Sequence, residues 1–266
     1  MSMRLGMLMI ATVLLLAIAA PLVAGYDPQS GSADALRPPL SSGHALGTDN
    51  LGRDIWAELV FGARVSLAVG IFAATSAVVI GTLVGAVSGY AGGWLDAVLM
   101  RLAEFFQVVP RFVLALIVVA LFGGGLARLI VVIAVLAWPQ TARLVRAGFL
   151  SLREAPFVDA ARVGGMGAAG IVVSEILPNV LAPILVTGSL DVGAAILLEA
   201  ALGFFGLGDP NLVSWGSMLN QAQQYLRQAW WMSLFPGLGI SVAVLGFNVV
   251  GDGLNDALNP RLRGAR

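Results

Sequence analysis

The sequence predicts an all-α, polytopic membrane protein with about six transmembrane helices and one short cytoplasmic helix between the fourth and fifth. Three observations carry that prediction. Hydrophobic residues make up 58% of the 266, and mean hydropathy is +0.90. Charged residues reach only 11%, against roughly 25% in soluble domains. The apolar residues also gather into runs near the ~20 residues that an α-helix needs to cross a hydrocarbon core about 30 Å thick. A single water-soluble core of this size cannot hide so much apolar surface.

Six segments meet the length requirement: Met7 to Val23, Val65 to Val87, Leu99 to Phe122, Leu126 to Leu144, Val180 to Gly203 and Trp231 to Val250. The first also fits a cleavable signal peptide, with one arginine, an apolar stretch and then small residues. In the second, Gly81, Gly85 and Gly89 repeat at i, i+4, i+8, a small-residue spacing that lets two helices pack closely. The fourth is the weakest, because its apolar run stops at Trp138 and Pro139; membrane helices tolerate such a proline when neighbours satisfy the freed carbonyl. Trp230 and Trp231 open the sixth, where an interfacial aromatic belt belongs.

Arginine placement sets the expected orientation, since basic flanks tend to stay in the cytoplasm. With the N-terminus inside, Arg4, Arg101, Arg143, Arg146, Arg153, Arg162, Arg261, Arg263 and Arg266 fall on the cytoplasmic side. Arg37, Arg53, Arg64, Arg128 and Arg227 fall outside, and Arg111 lies within a span. Both termini are then cytoplasmic. Gly25 to Arg64 and Gly206 to Gln228 become external loops, too long for mere connectors. Each is either a binding surface or a folded cap over the helix ends.

Composition excludes several functions. There is no cysteine, hence no thiolate metal site, disulfide or cysteine nucleophile within the chain. Formal net charge is zero, so no basic field attracts nucleic acid. Every basic residue is arginine; a P-loop needs lysine to reach the nucleotide phosphates. His44 is the lone histidine, which rules out a histidine cluster for metal, and neither HExxH nor GxSxG occurs. Catalytic and metal sites are therefore not expected.

The stretch SLREAPFVDAARVGGMG, Ser151 to Gly167, is the most informative. Pro156 suits the first turn of a helix, where its missing N–H costs nothing. Gly164 and Gly165 suit the far end, where a left-handed residue closes the helix. Phe157, Ala160, Ala161 and Gly164 fall at i, i+3, i+4 and i+7 and so share a face. Asp159 and Arg162 are spaced to pair at i, i+3. A compact helix with one aromatic knob and tiny neighbours is shaped to enter a groove. An interfacial helix lying on lipid headgroups is the alternative, although such helices usually carry more cations and larger apolar groups.

At this point the sequence resembles a known family. DAARVGG followed by EILPNVLAPILV is similar to the EAA loop of binding-protein-dependent ABC importer permeases. Asp159, Ala160, Ala161, Gly165, Ile176, Leu177 and Pro178 occupy its marked places, with Asp159 where the family usually has glutamate. GHALGTDNLGRDIWAELVFGARVSL from Gly43, LGFFGLGDPNLVSWGSML from Leu202 and NVVGDGLNDALNPRLR from Asn248 resemble the dipeptide, oligopeptide and nickel branch, C-type subunit. The resemblance implies a pore shared with a B-type permease subunit in the bacterial inner membrane. It implies two ABC ATPase subunits or domains, which hold the ATP and Mg, and an external solute-binding protein that delivers cargo. It makes Glu154 through Gly165, with Leu177 and Pro178, the ATPase-coupling element within a loop at 151–178. Residues 1–62 then form an N-terminal helix and external loop, and 63–266 the permease domain. Di- or oligopeptides lead among its cargoes, with nickel, glutathione and haem-like molecules beside them.

Four intramembrane charges remain. Asp191 and Glu199 lie two turns apart in the fifth span. They either wall a translocation path or hold the helix by buried hydrogen bonds. Glu104 and Arg111, seven residues apart in the third span, are expected on one face, lining the path or, preferably, pairing with neighbouring helices. An ion-coupled secondary transporter using Asp191 and Glu199 is the competing function class, and a purely structural membrane subunit is a third.

Overall fold

In the computed structural model, residues 3–258 are described; Arg261, Arg263 and Arg266 of the expected cytoplasmic cluster lie outside them. Among the described residues, five helices are long and apolar enough to span a membrane: Met3–Val23, Ile55–Ala91, Leu126–Leu152, Ala168–Phe204 and Trp231–Leu258. We label the elements α1 (Met3–Val23), α2 (Ile55–Ala91), α3 (Gly93–Val108), α4 (Arg111–Phe122), α5 (Leu126–Leu152) and α6 (Pro156–Val163). The chain continues through α7 (Ala168–Gly170), a π-helical stretch (Ile171–Ile176) and α8 (Leu177–Phe204), then α9 (Trp215–Ala222) and α10 (Trp231–Leu258).

The third span differs from expectation. It is not one rod over Leu99 to Phe122 but two helices, α3 and α4, bent by 82°. Pro110 explains the break. It has no N–H to continue the ladder, and it drives the residue before it out of the α region. Val109 accordingly sits at φ −97°, ψ 137°. Pro139 has no such effect, and α5 runs unbroken through it.

α2 begins at Ile55, ten residues before its apolar stretch, because Asp54 caps it: the side chain accepts a hydrogen bond from the Ala57 N–H at 2.8 Å. The helix passes without interruption across residues 62 and 63. Its small-residue row meets α5. A Cβ on Gly81 would lie 2.6 Å from the Thr141 Cβ, one on Gly85 2.8 Å from the Val145 Cβ, and one on Gly89 2.6 Å from the Phe149 Cβ. Glycine there is what allows the close approach. α1 packs on α10 in the same way, Gly6 against Val249 and Gly246 against Ile10.

Indole N–H groups join α2 to the end of α1, α9 to α2, and the segment 24–54 to α10. Trp56 donates to the Val23 carbonyl (2.9 Å), Trp215 to Leu59 (3.0 Å) and Trp231 to Thr48 (3.0 Å). Trp231 is buried and Trp230 is exposed, so only Trp230 faces outward as a belt residue would. The outer faces carry Leu15, Leu22, Phe72 and Leu121. Such side chains are costly in water and at home in lipid.

Candidate functional site

One end of the bundle carries α6. Pro156 opens the helix, and Gly164 and Gly165 close it. The Gly165 N–H donates to the Arg162 carbonyl and the Met166 N–H to the Ala161 carbonyl, both 3.0 Å. Gly165 holds φ +83°. This is the paired hydrogen-bond closure that requires a left-handed residue just past the helix. Val158 is fully buried among Val145, Phe149, Ile171, Ile176 and Val180. It roots α6 to α5 and to the start of the next span. Ala161 is half-buried against the same cluster, and Leu177 packs there too. Phe157, Ala160, Val163 and Gly164 face outward, while Pro178 is exposed in the first turn of α8. The helix thus has a rooted side at Val158 and Ala161 and a free side of small residues around Phe157.

Charges brace this stub. Arg162 Nη1 donates to Asp159 Oδ1 at 2.9 Å, the expected i, i+3 pair, and its Nη2 donates to the Arg153 carbonyl at 3.0 Å. Arg153 reaches the Glu154 carboxylate (3.2 Å) and the Gly89 carbonyl at the end of α2 (3.4 Å). Below it, Arg146 of α5 grips Asp96 of α3 with both arms, at 2.5 and 2.6 Å. Ser88 of α2 also donates to Asp96. Three helices therefore converge beneath α6. Asp96 and Arg146 did not stand out in the sequence; a lone carboxylate just after Gly92–Gly93 and an arginine fifty residues later share no spacing signal.

The four intramembrane charges separate. Glu104 pairs with Arg101 at 3.0 Å on α3 and is exposed. Arg111 is the first residue of α4, and its Nη2 donates to Gln140 Oε1 at 2.6 Å. Because of the 82° bend, Glu104 and Arg111 do not share a helical face. Glu199 is 1% exposed. Its Oε2 accepts from Ser66 Oγ at 2.8 Å, and the Trp215 N–H donates to that hydroxyl at 3.3 Å, so Glu199 knits α8 to α2 and α9. Asp191 is 7% exposed and meets Thr141 Oγ1 at 3.4 Å. It opens onto a cavity of about 360 Å³ between α4, α5 and α8, which Arg111 also lines. The structure therefore brings Asp191 and Arg111 to one space, and keeps Glu104 and Glu199 apart from it.

A second cavity, about 480 Å³, adjoins at Arg111 and is lined by Gln107, Gln140, Arg143, Leu144 and Thr187. Thr187 is one turn from Asp191 on α8. The two spaces share Arg111; the first is mostly apolar, and the second lies beside Thr187 of α8. A third cavity, about 440 Å³, opens at the opposite end beside Arg53, Asp209 and Asn220.

A multi-span helical bundle with a small helix at one end and charged cavities inside is the shape of a membrane permease. Residues 77–264 match the family described as binding-protein-dependent transport system inner membrane component. The chain is 43% identical over 260 residues to the dipeptide transport system permease protein DppC of Alkalihalophilus pseudofirmus, covering 97% of this chain and 85% of that one. It is 41% identical over 231 residues to the glutathione transport system permease protein GsiD of Pectobacterium atrosepticum, covering 86% and 77%. Among solved structures, an inward-facing form of the MetNI methionine ABC transporter shares the fold at TM-score 0.64 and 21% identity, covering 76% of this chain and 96% of that one. The chain belongs to the binding-protein-dependent inner membrane component family, as a C-type permease of the ABC importer branch for peptides and nickel. By that membership it is a permease subunit.

Proposed function

We propose that the chain forms one half of the pore of an ATP-driven importer for di- and oligopeptides, beside a B-type permease. ATPase partners dock on α6, and an external binding protein delivers the cargo at the opposite end. α6, with both termini, faces the cytoplasm. One observation carries this reading: α6 is rooted by Val158 but turns Phe157, Ala160, Val163 and Gly164 to the outside. A helix only eight residues long cannot flex, so a push on its free face passes directly into α5 and α8, where Val158 is seated. Glu154, Asp159 and Arg162 rim that face and fix its angle. Names of relatives support peptide-type cargo: the Alkalihalophilus protein is described as a dipeptide permease, and one from Pseudomonas aeruginosa, 39% identical, as a di/tripeptide permease. Within the membrane, the translocation path follows Asp191, Arg111 and Thr187. Glu199 holds its wall in place and Glu104 stands outside it.

The test is Ala160→Trp, which places bulk on the free face and leaves the Val158 seat intact. The expected result is loss of ATPase co-purification and at least a tenfold fall in ATP-dependent peptide uptake, with normal membrane insertion and pairing to the second permease. Wild-type uptake by this variant would count against docking through α6.

A further inference from the structure

The cavity between α4, α5 and α8 is apolar around most of its wall, through Phe112, Ile133, Leu136 and Leu198, and carries two opposite charges. Counting 1.5 Å per residue, Asp191 lies about 20 Å in from the end of α8 at Phe204, and Arg111 about 17 Å in from the end of α4 at Phe122. Those two helix ends are neighbours, since the Leu126 N–H just beyond α4 donates to Asp209 just beyond α8. Asp191 and Arg111 line this one cavity, with Phe112 beside Arg111 packed on Phe205 just past the end of α8.

Each charge is left available. Among the described residues, Asp191 has no cationic partner at ion-pair distance; its side-chain contact is the long one to Thr141. Arg111 is hydrogen-bonded to the neutral amide of Gln140, which orients the guanidinium without cancelling its charge. Arg111 also begins a helix whose N-terminus has no side-chain cap, Pro110 standing at the cap position. The first amides of α4 are therefore unmatched donors at the positive end of a short helix that borders the cavity. Such ends favour anionic groups of cargo in transporters built from broken helices. The cavity volume lies in the ~300–1,000 Å³ range of small-molecule sites.

We propose that this cavity is a cargo-reading subsite for a solute that carries both a free ammonium and a free carboxylate. The ammonium sits on Asp191, and the carboxylate on Arg111 and the open N-terminus of α4. The inference rests on the importer reading above and deepens it. A short unblocked peptide satisfies both ends at once, whereas a peptide blocked at either end leaves one of the two charges unmatched. The second cavity, beyond Arg111, is the next station, and Thr187 and Gln140 offer it neutral hydrogen bonds.

The experiment uses the complete complex of both permeases and the ATPases in nanodiscs, without binding protein, and measures saturable binding of labelled L-alanyl-L-alanine. N-acetylated and C-amidated dialanine serve as competitors. The wild-type complex is expected to bind dialanine and to bind each blocked form at least tenfold more weakly. Asp191→Asn should erase discrimination against the acetylated form, with Asp191→Glu restoring part of it. Arg111→Gln should erase discrimination against the amide. If a variant does not assemble, the wild-type competition decides alone. Absence of saturable dialanine binding would overturn the proposal, as would equal binding of blocked forms or a co-purified phospholipid that dialanine does not displace. Stimulation of ATP hydrolysis by loaded binding protein is measured in the same preparation. If stimulation is present and discrimination absent, only this subsite fails; if stimulation is absent as well, the importer reading fails with it.

Discussion

Glu199 and Asp191 sit two turns apart on α8, and their surroundings separate them. The first is enclosed by Ser66 and the N-terminus of α9, the second opens onto a cavity. A buried donor that loses its partner costs about 1–3 kcal/mol. Glu199→Ala strands the Ser66 hydroxyl and is expected to destabilise the purified protein by that amount, read as a lower melting temperature in detergent. Glu199→Gln keeps an oxygen for Ser66 and should melt near wild type with uptake retained. If Glu199→Gln abolished uptake while melting normally, Glu199 would belong to the path and not to its frame. The sequence shows both residues as carboxylates at membrane depth and stops there. What distinguishes them is Ser66, 133 residues away, and Thr141, 50 residues away, and no local pattern announces either pairing. The short helix α6 is the opposite case. Pro156, the Asp159–Arg162 spacing and Gly165 are local signals, and each appears where local rules put it. Only the sidedness differs from the periodicity: Val158 and Ala161 face the body, because Val158 fills the pocket between α5 and the π-helical stretch.

At the scale of elements, two prolines inside apolar runs have opposite outcomes. Pro139 is buried, and the segment around it is clasped by α2, with the Trp138 carbonyl and Thr141 lying against Gly81. That packing keeps α5 continuous through Pro139 despite the missing N–H. α3 and α4 have no such clasp. Their faces are largely exposed, Phe105, Val108, Leu121 and Phe122 among them, so the chain takes the extended geometry that Pro110 imposes on Val109. Hydropathy alone reads both segments as single spans, because it registers the prolines but not the neighbour that overrules one of them. The bend can be measured directly in a chain that has no cysteine of its own. With Trp94→Cys and Leu121→Cys spin-labelled, two helices bent by 82° place the labels about 30 Å apart, whereas a straight rod over the same residues spans about 40 Å. Pro110→Ala is expected to shift the distribution toward the longer distance and to lower uptake, because Arg111 then leaves the cavity. An unchanged distance would mean that packing, and not Pro110, sets the bend.

For the whole molecule, the number of spans follows from composition and run length, and the described residues hold five long apolar helices, or six spans if the bent pair α3–α4 counts as one. Orientation is a different kind of claim, because it rests on arginine placement relative to a bilayer that helix packing does not specify. Asp96 and Arg146 gather α2, α3 and α5 under α6, while Trp56, Trp215 and Trp231 tie the loops to the other end. On the proposed reading, force delivered to α6 would enter an end whose helices are cross-linked by charge and pass to α8, which carries Asp191. For this to couple ATP hydrolysis to import, α6 must face the cytoplasm and be covered during turnover. Val163, 90% exposed on α6, and Gln223, exposed beside α9, are suitable reporters as single cysteines. In intact cells with an opened outer barrier, an impermeant maleimide should label Gln223→Cys and spare Val163→Cys. In inverted vesicles the pattern should reverse. Adding the ATPase partners with ATP should then protect Val163→Cys at least tenfold, while a cysteine at Met166, on the same loop but beyond the helix, serves as comparison. Labelling of Val163→Cys from outside intact cells would invert the topology and remove the coupling role of α6. Full reactivity with the ATPases bound would leave the topology standing and move the docking site elsewhere.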